Sequence, residues 1–172
     1  AHIKLIFNQQ IARELQVWKS LRHPNIIECL GSSNDFGDFG AMIFPWCQQG
    51  TAREYLEKTD PSVRVRMSLV KDVCAGLDYL HQSALVHGDL KPSNVLIDDA
   101  GTARVCDFGL AKLAHHQELG EMTATTTHAG PERYMAPELF QTMNFQTPLP
   151  TREADVYSLG CIALEVSFGE TE

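Results

Sequence analysis

His87-Gly-Asp-Leu-Lys-Pro-Ser-Asn94, followed by Asp107-Phe-Gly109 and then Tyr134-Met-Ala-Pro-Glu138, decides how this chain is read. Leu85-Val86 precedes the first segment and Val95-Leu-Ile97 follows it. Both are short apolar runs of the kind that form strands, so the octapeptide between them is a loop. Ala103-Arg-Val-Cys106 is a third such run. Asp98-Asp-Ala-Gly101 supplies the turn between the last two. Asp89, Lys91 and Asn94 therefore share one loop, and Asp107 stands just beyond a strand. Each triplet alone is weak evidence, and Asp107 alone reads as a turn or cap residue. In this order and strand-loop context the three pieces become specific.

Working outward, Phe7, Ile11, Leu15, Trp18 and Leu21 recur every three or four residues. That spacing predicts one face of an amphipathic helix, ended by His23-Pro24. Ile26 to Leu30 and Ala41 to Phe44 read as two strands of a hairpin. Residues 45–50, Pro-Trp-Cys-Gln-Gln-Gly, break the pattern and read as a linker. Thr51-Ala-Arg-Glu54 has the spacing of a capping box, so a short helix starts there. Asp60-Pro61 is read as an N-cap followed by proline at the first helical position. It opens a long helix with Val63, Met67, Val70, Cys74, Leu77 and Leu80 on one face. A last helix from Thr151 to about Phe168 is largely apolar and expected to be central, and in an incomplete domain its Val156, Leu159, Ile162 and Val166 are expected to expose apolar surface.

The chain has 172 residues, 44% of them hydrophobic and 21% charged, which is the composition of a globular domain. Its formal net charge of −8 argues against a nucleic-acid or anionic-lipid partner, where a Lys/Arg excess is expected. No apolar run approaches the ~18 residues of a membrane span, and no secretory leader is visible. The five cysteines form no CxxC pair, so ordinary thiols in a reducing, cytoplasmic setting are expected. His115-His116 has no third ligand at a metal-binding spacing, which leaves an unrelated metal-dependent hydrolase poorly supported.

The segments 87–94, 107–109 and 134–138 resemble the catalytic and activation segments of protein kinases, and the resemblance runs over nearly the whole chain. It implies an α+β, protein-kinase-like fold. Residues 1–44 would be a partial, β-containing N-lobe with a helix and two strands. Residues 45–50 would be the hinge, and 51–172 a mostly helical partial C-lobe with catalytic loop 87–94 and activation segment 107–138. The implied activity is transfer of the γ-phosphoryl of ATP to protein Ser or Thr hydroxyls, with Mg²⁺. Lys91-Pro92 is similar to the serine/threonine branch. Such a transition state needs positioning and charge neutralisation more than covalent help. Asp89 would orient the acceptor hydroxyl and take its proton, and Lys91 would reach the transferring phosphoryl. Asn94 and Asp107 are hard oxygen donors suited to Mg²⁺. Glu14 matches the glutamate that pairs with the phosphate-holding strand lysine. Pro45 C=O and Cys47 N–H match the hinge groups that read adenine, proline lacking only an N–H. Phe44 matches the gatekeeper, Leu96 the residue beneath adenine, and His87, Phe108 and Trp18 an internal hydrophobic column. Thr127 matches the activation phosphosite and Lys112 one of its partners. The other customary partner, the arginine before the catalytic Asp, is Gly88 here.

The sequence also departs from the pattern. No G-x-G-x-x-G precedes Glu14, Lys4 stands too close to Glu14 to be the strand lysine, and the usual Gly-Thr pair is Gly130-Pro131. The reading is therefore an incomplete kinase domain. The alternative is a pseudokinase or inactive kinase-like binding module. Oligomeric state is not legible.

Overall fold

The structure, a computed structural model, describes residues 17–33, 41–107, 132–140 and 148–169. Most of the first helix, with Phe7, Ile11, Glu14 and Lys4, lies outside them, as do Phe108, Lys112, the His115-His116 pair, Thr127 and Pro131. Residues 17–20 are helical, and Leu21 N–H closes the end on Trp18 O at 3.2 Å. Trp18 and Leu21 are buried, as their spacing predicts.

The hairpin forms, but one strand is displaced. β1 is Gly31–Ser33 and β2 is Ala41–Ile43, antiparallel with Gly31 opposite Ile43. Of the expected first strand, Ile26 to Leu30, only Leu30 reaches it, donating its N–H to Ile43 O at 2.9 Å. Ile26, Ile27 and Cys29 are buried in the core. The backbone of residues 25–27 instead runs alongside Val105, with Val105 N–H on Asn25 O at 2.9 Å and Ile27 N–H on Val105 O at 3.0 Å. Apolar burial holds this run against the core, so the pairing nearer the loop falls to the polar residues 31–33.

The capping box at Thr51 is present: Glu54 N–H donates to Thr51 Oγ1 at 3.2 Å, and Thr51 N–H to Glu54 Oε2 at 2.8 Å. These bonds hold the Glu54 carboxyl below the usual range. They open α1, Ala52–Thr59. Asp60 does not open the next helix as the sequence suggests. It closes α1 in the left-handed conformation, φ 40°, with its N–H on Leu56 O, and its carboxylate takes Arg66 at 2.7 Å. Asp tolerates that conformation better than most residues. Ser62 therefore precedes α2, Val63–Gln82. The buried stripe of α2 is Leu69, Val73, Gly76, Leu77 and Leu80, whereas Val63, Met67 and Cys74 are exposed. Both stripes satisfy helical spacing; the partners packed on α2 select the second.

β3 (Val95–Ile97) and β4 (Ala103–Val105) pair antiparallel, joined by the predicted turn at Asp98. Asp98 Oδ1 accepts the N–H groups of Ala100 and Thr102, and Gly101 takes φ 80°. Leu85 and Val86 are buried but belong to neither ladder; Leu85 N–H instead caps α2 on Leu80 O. α3, Arg152–Phe168, starts at Thr151, whose Oγ1 accepts Ala154 N–H at 3.2 Å. It packs chiefly across α2, and α2 also packs on β4. Val156 is exposed as expected, whereas Leu159 is half-buried and Ile162 and Val166 are buried, because α2 and the rest of the core cover that face. Polar residues Asp155, Ser158 and Glu165 share the buried face. The fold is α+β, mainly helical with a few short strands. Among the described residues no helix is long and apolar enough to cross a membrane.

One close approach locks residues 25–27 onto this body. A Cβ on Gly76 would sit 2.5 Å from Asn25 O, and that oxygen is already bonded to Val105. Backbone cannot yield there as a flexible side chain could. Gly76→Ala should lower unfolding free energy by about 1–3 kcal/mol in urea titrations. A loss below about 0.5 kcal/mol, the range of neutral surface changes, would contradict this packing.

Candidate functional site

Asp155 sits in the first turn of α3 and is 1% exposed. An ionised carboxylate is buried only when its oxygens are paired. Its Oδ2 accepts His87 N–H at 2.8 Å and lies 2.8 Å from His81 Nε2; its Oδ1 accepts Gly88 N–H at 2.8 Å. Loop 87–94 is thus hung by two consecutive amides from one helix. Gly88 meets this geometry with φ 77°, a conformation costly for other residues.

His87 is fully buried beneath the loop. Asp89 N–H donates to its Nδ1 at 3.2 Å, so the ring proton is on Nε2, which donates to Cys106 O at 3.1 Å. Burial pushes the imidazole pKa down. It outweighs the opposing pull of Asp155, the Cys106 carbonyl, Asp89 and Asp107. Cys106 N–H in turn donates to Asn94 O at 2.9 Å. Loop and strand end are therefore tied at both ends of the loop, and the residue after Cys106 is Asp107.

Within the loop, three of the predicted side chains converge. Lys91 Nζ lies 2.7 Å from Asp89 Oδ2, and Asn94 Nδ2 donates to Asp89 O at 2.8 Å and to Oδ2 at 3.1 Å. Asn94 is buried, and with its Nδ2 committed to Asp89 it offers Oδ1 as an oxygen donor. Asp107 is exposed and left-handed, φ 57°. The residue before it, Cys106, bonds both the loop and the His87 ring, so Asp107 follows directly on that tie. Among the described residues no three His, Cys, Asp or Glu side chains could enclose a metal ion. Asn94 and Asp107 are the two oxygen-bearing candidates there, Asn94 O tied to the strand end before Asp107. Such oxygens suit a hard cation completing its shell with waters or phosphate oxygens.

The hinge candidates border the same space. Cys106 is raised to about 12, by burial first and then by the nearby charges of Asp107 and Cys47. Burial also raises the Cys47 thiol. Cys47 O accepts Gly50 N–H at 3.1 Å, and Gly50 O accepts Ile97 N–H at 2.9 Å, which ties the linker to β3. Leu96, half-buried on β3, bridges to Thr51. Pro45 is exposed. Phe44 packs edge-on against Trp18, with centroids 5.0 Å apart. A cleft starts at Asp89 and Lys91 and continues between Leu90, Met135, Leu139 and Pro150. Glu14, by contrast, lies outside the described residues. The sequence pattern missed Asp155, whose only signal was an acid inside an apolar helical stripe.

Comparison with known proteins points one way. The family model described as "Protein kinase domain" matches residues 1–172. A salt tolerance receptor-like cytoplasmic kinase of Oryza sativa subsp. japonica is 32% identical over 92% of the chain and 45% of its own length. A mitogen-activated protein kinase kinase kinase, MST11, of Pyricularia oryzae is 30% identical over 94% of the chain and 18% of its own length. An Arabidopsis thaliana L-type lectin-domain containing receptor kinase, S.6, is 33% identical over 87% of the chain and 23% of its own length. The chain thus spans less than half the length of each of these relatives.

The buried imidazole gives the site a pH signature. Its pKa is depressed in the folded state, so below about pH 6.5 the unfolded chain binds the extra proton. Folding stability is then lost as pH falls, by up to about 1.4 kcal/mol per pH unit from this group. The difference in unfolding free energy between wild type and His87→Gln should shrink from pH 7 to pH 5. A difference constant over that range would contradict a neutral buried His87.

Proposed function

The chain belongs to the protein kinase family, and from that premise we propose that it transfers the γ-phosphoryl of ATP to Ser or Thr hydroxyls of a protein acceptor. The observation that carries the reading is the convergence of Lys91 and Asn94 on Asp89, at 2.7 and 3.1 Å, in a loop fastened next to Asp107. Asp89 orients the acceptor hydroxyl and takes its proton; Lys91 pairs with that carboxylate and faces the incoming phosphoryl. Asn94 Oδ1 and Asp107 hold the divalent cation, read here as Mg²⁺ from the hardness of the two oxygens. Once bound, the cation neutralises charge on the phosphate oxygens. Pro45 C=O and Cys47 N–H receive adenine, with Leu96 beneath it. Retention of both acids favours catalysis over a binding-only role. The acceptor enters along the cleft that runs from Asp89 to Met135. All five cysteines are unpaired, which supports a reducing, cytoplasmic setting.

Transfer of labelled γ-phosphate from ATP to a generic basic protein tests this. Asp89→Asn and Asp107→Ala should each lower the rate by about 100-fold or more. Transfer by Asp107→Ala at the wild-type rate would sink the cation assignment. Transfer by Asp89→Asn at the wild-type rate would remove the base.

A further inference from the structure

Away from the loop, a half-exposed arginine meets a buried acid and phenol in a cluster with no part in the transfer chemistry. Arg53, in the first turn of α1, places Nη2 3.0 Å from Tyr134 Oη and 3.1 Å from Glu165 Oε1. Tyr134 Oη donates to Glu165 Oε2. Glu165 and Tyr134 are both buried. A carboxylate there is stable only while its partners stay in place. Three elements remote in sequence meet at this point: α1, which begins two residues beyond the linker, segment 132–134, and α3. The same segment is moored a second time, because Ser158 Oγ lies 2.6 Å from Tyr134 O. Tyr134 and Met135 then form one wall of the cleft that starts at Asp89 and Lys91.

We infer that Arg53 is a positioning residue for the acceptor side of the site, acting through Tyr134 and Glu165 to fix the height of segment 132–136 against Asp89. The inference rests on the transferase reading above for its functional half. Its structural half stands on the three contacts. The phenol, raised to about 12 by burial and by Glu165, stays protonated and keeps donating at working pH. The contacts that define this cluster join α1, segment 132–134 and α3 rather than the linker or Asp107, so nucleotide binding should be little affected by it.

The test compares the full chain with Arg53→Met, Arg53→Lys and Tyr134→Phe. The first readout is amide hydrogen exchange without ligand. Arg53→Met should speed exchange in residues 132–139 at least tenfold and leave 69–80 and 95–105 unchanged. Arg53→Lys, with one contact restored, should fall between it and wild type. Tyr134→Phe should resemble Arg53→Met in a milder form. The second readout is kinetic: KM for the protein acceptor should rise several-fold while KM for ATP holds. Unchanged exchange at 132–139 would overturn the inference. So would acceleration spread over α2 and the β3–β4 pair, or equal loss in both KM values, since each would make Arg53 merely structural. A wild-type chain that transfers no phosphate would sink the transferase reading, while the exchange comparison would still decide whether Arg53 holds segment 132–139.

Discussion

A single buried carboxylate sets the reference for everything chemical in this molecule. Asp155 is removed from water, so its oxygens must be answered by donors, and two of those donors are the consecutive amides of His87 and Gly88. Hydrogen bonds to an ionised acceptor are the stronger kind, and losing one inside a protein leaves a desolvated charge. The loop therefore has one permitted seat on α3. Every later residue of the loop inherits its position from that seat, Asp89 one step on, Asn94 at the far end.

The second tie runs through an imidazole. His87 is held neutral by burial, and its two nitrogens face different ways, one accepting from the loop, the other donating to the Cys106 carbonyl. Because Cys106 also returns a bond to Asn94, the strand end carrying Asp107 cannot drift from the loop carrying Asp89 without breaking both. β4 is itself pinned on its far edge by residues 25–27. The acids and the amide thus share one rigid frame, the arrangement that a charge-stabilising site requires. The acceptor side has its own mooring in Arg53, Tyr134 and Glu165, separate from that frame.

What the sequence disclosed divides along a physical line. Features settled by neighbours in the chain were legible: the Thr51 capping box, the Asp98 turn, and the Asp89–Lys91–Asn94 group, whose members lie within five residues. Features settled by distant partners were not. Asp60 looks the same whether it opens one helix or closes another, because a short acid suits both ends. The stripe of α2 has two self-consistent registers, and only the contact with α3 and β4 chooses. Ile26 to Leu30 has the composition of a hairpin strand, yet its first residues pair by backbone with Val105. Asp155, Arg53 and Glu165 are ordinary surface-type residues in a one-dimensional reading; the two acids are buried and the arginine reaches in to one of them, which no periodicity encodes. The kinase resemblance joined into one candidate site the fragments that local physics alone placed separately.

The central claim is that loop 87–94 and Asp107 together form one seat for a nucleotide-bound divalent cation. Paramagnetic relaxation by Mn²⁺ in the presence of ATP measures this directly on the isotope-labelled chain. The account predicts the strongest broadening at the Asn94 side-chain amide and the backbone of Cys106 and Asp107. It predicts weaker effects at Asp89 and none at Arg53 or Glu165. Broadening centred elsewhere, or equal at Asn94 and Glu165, would contradict it.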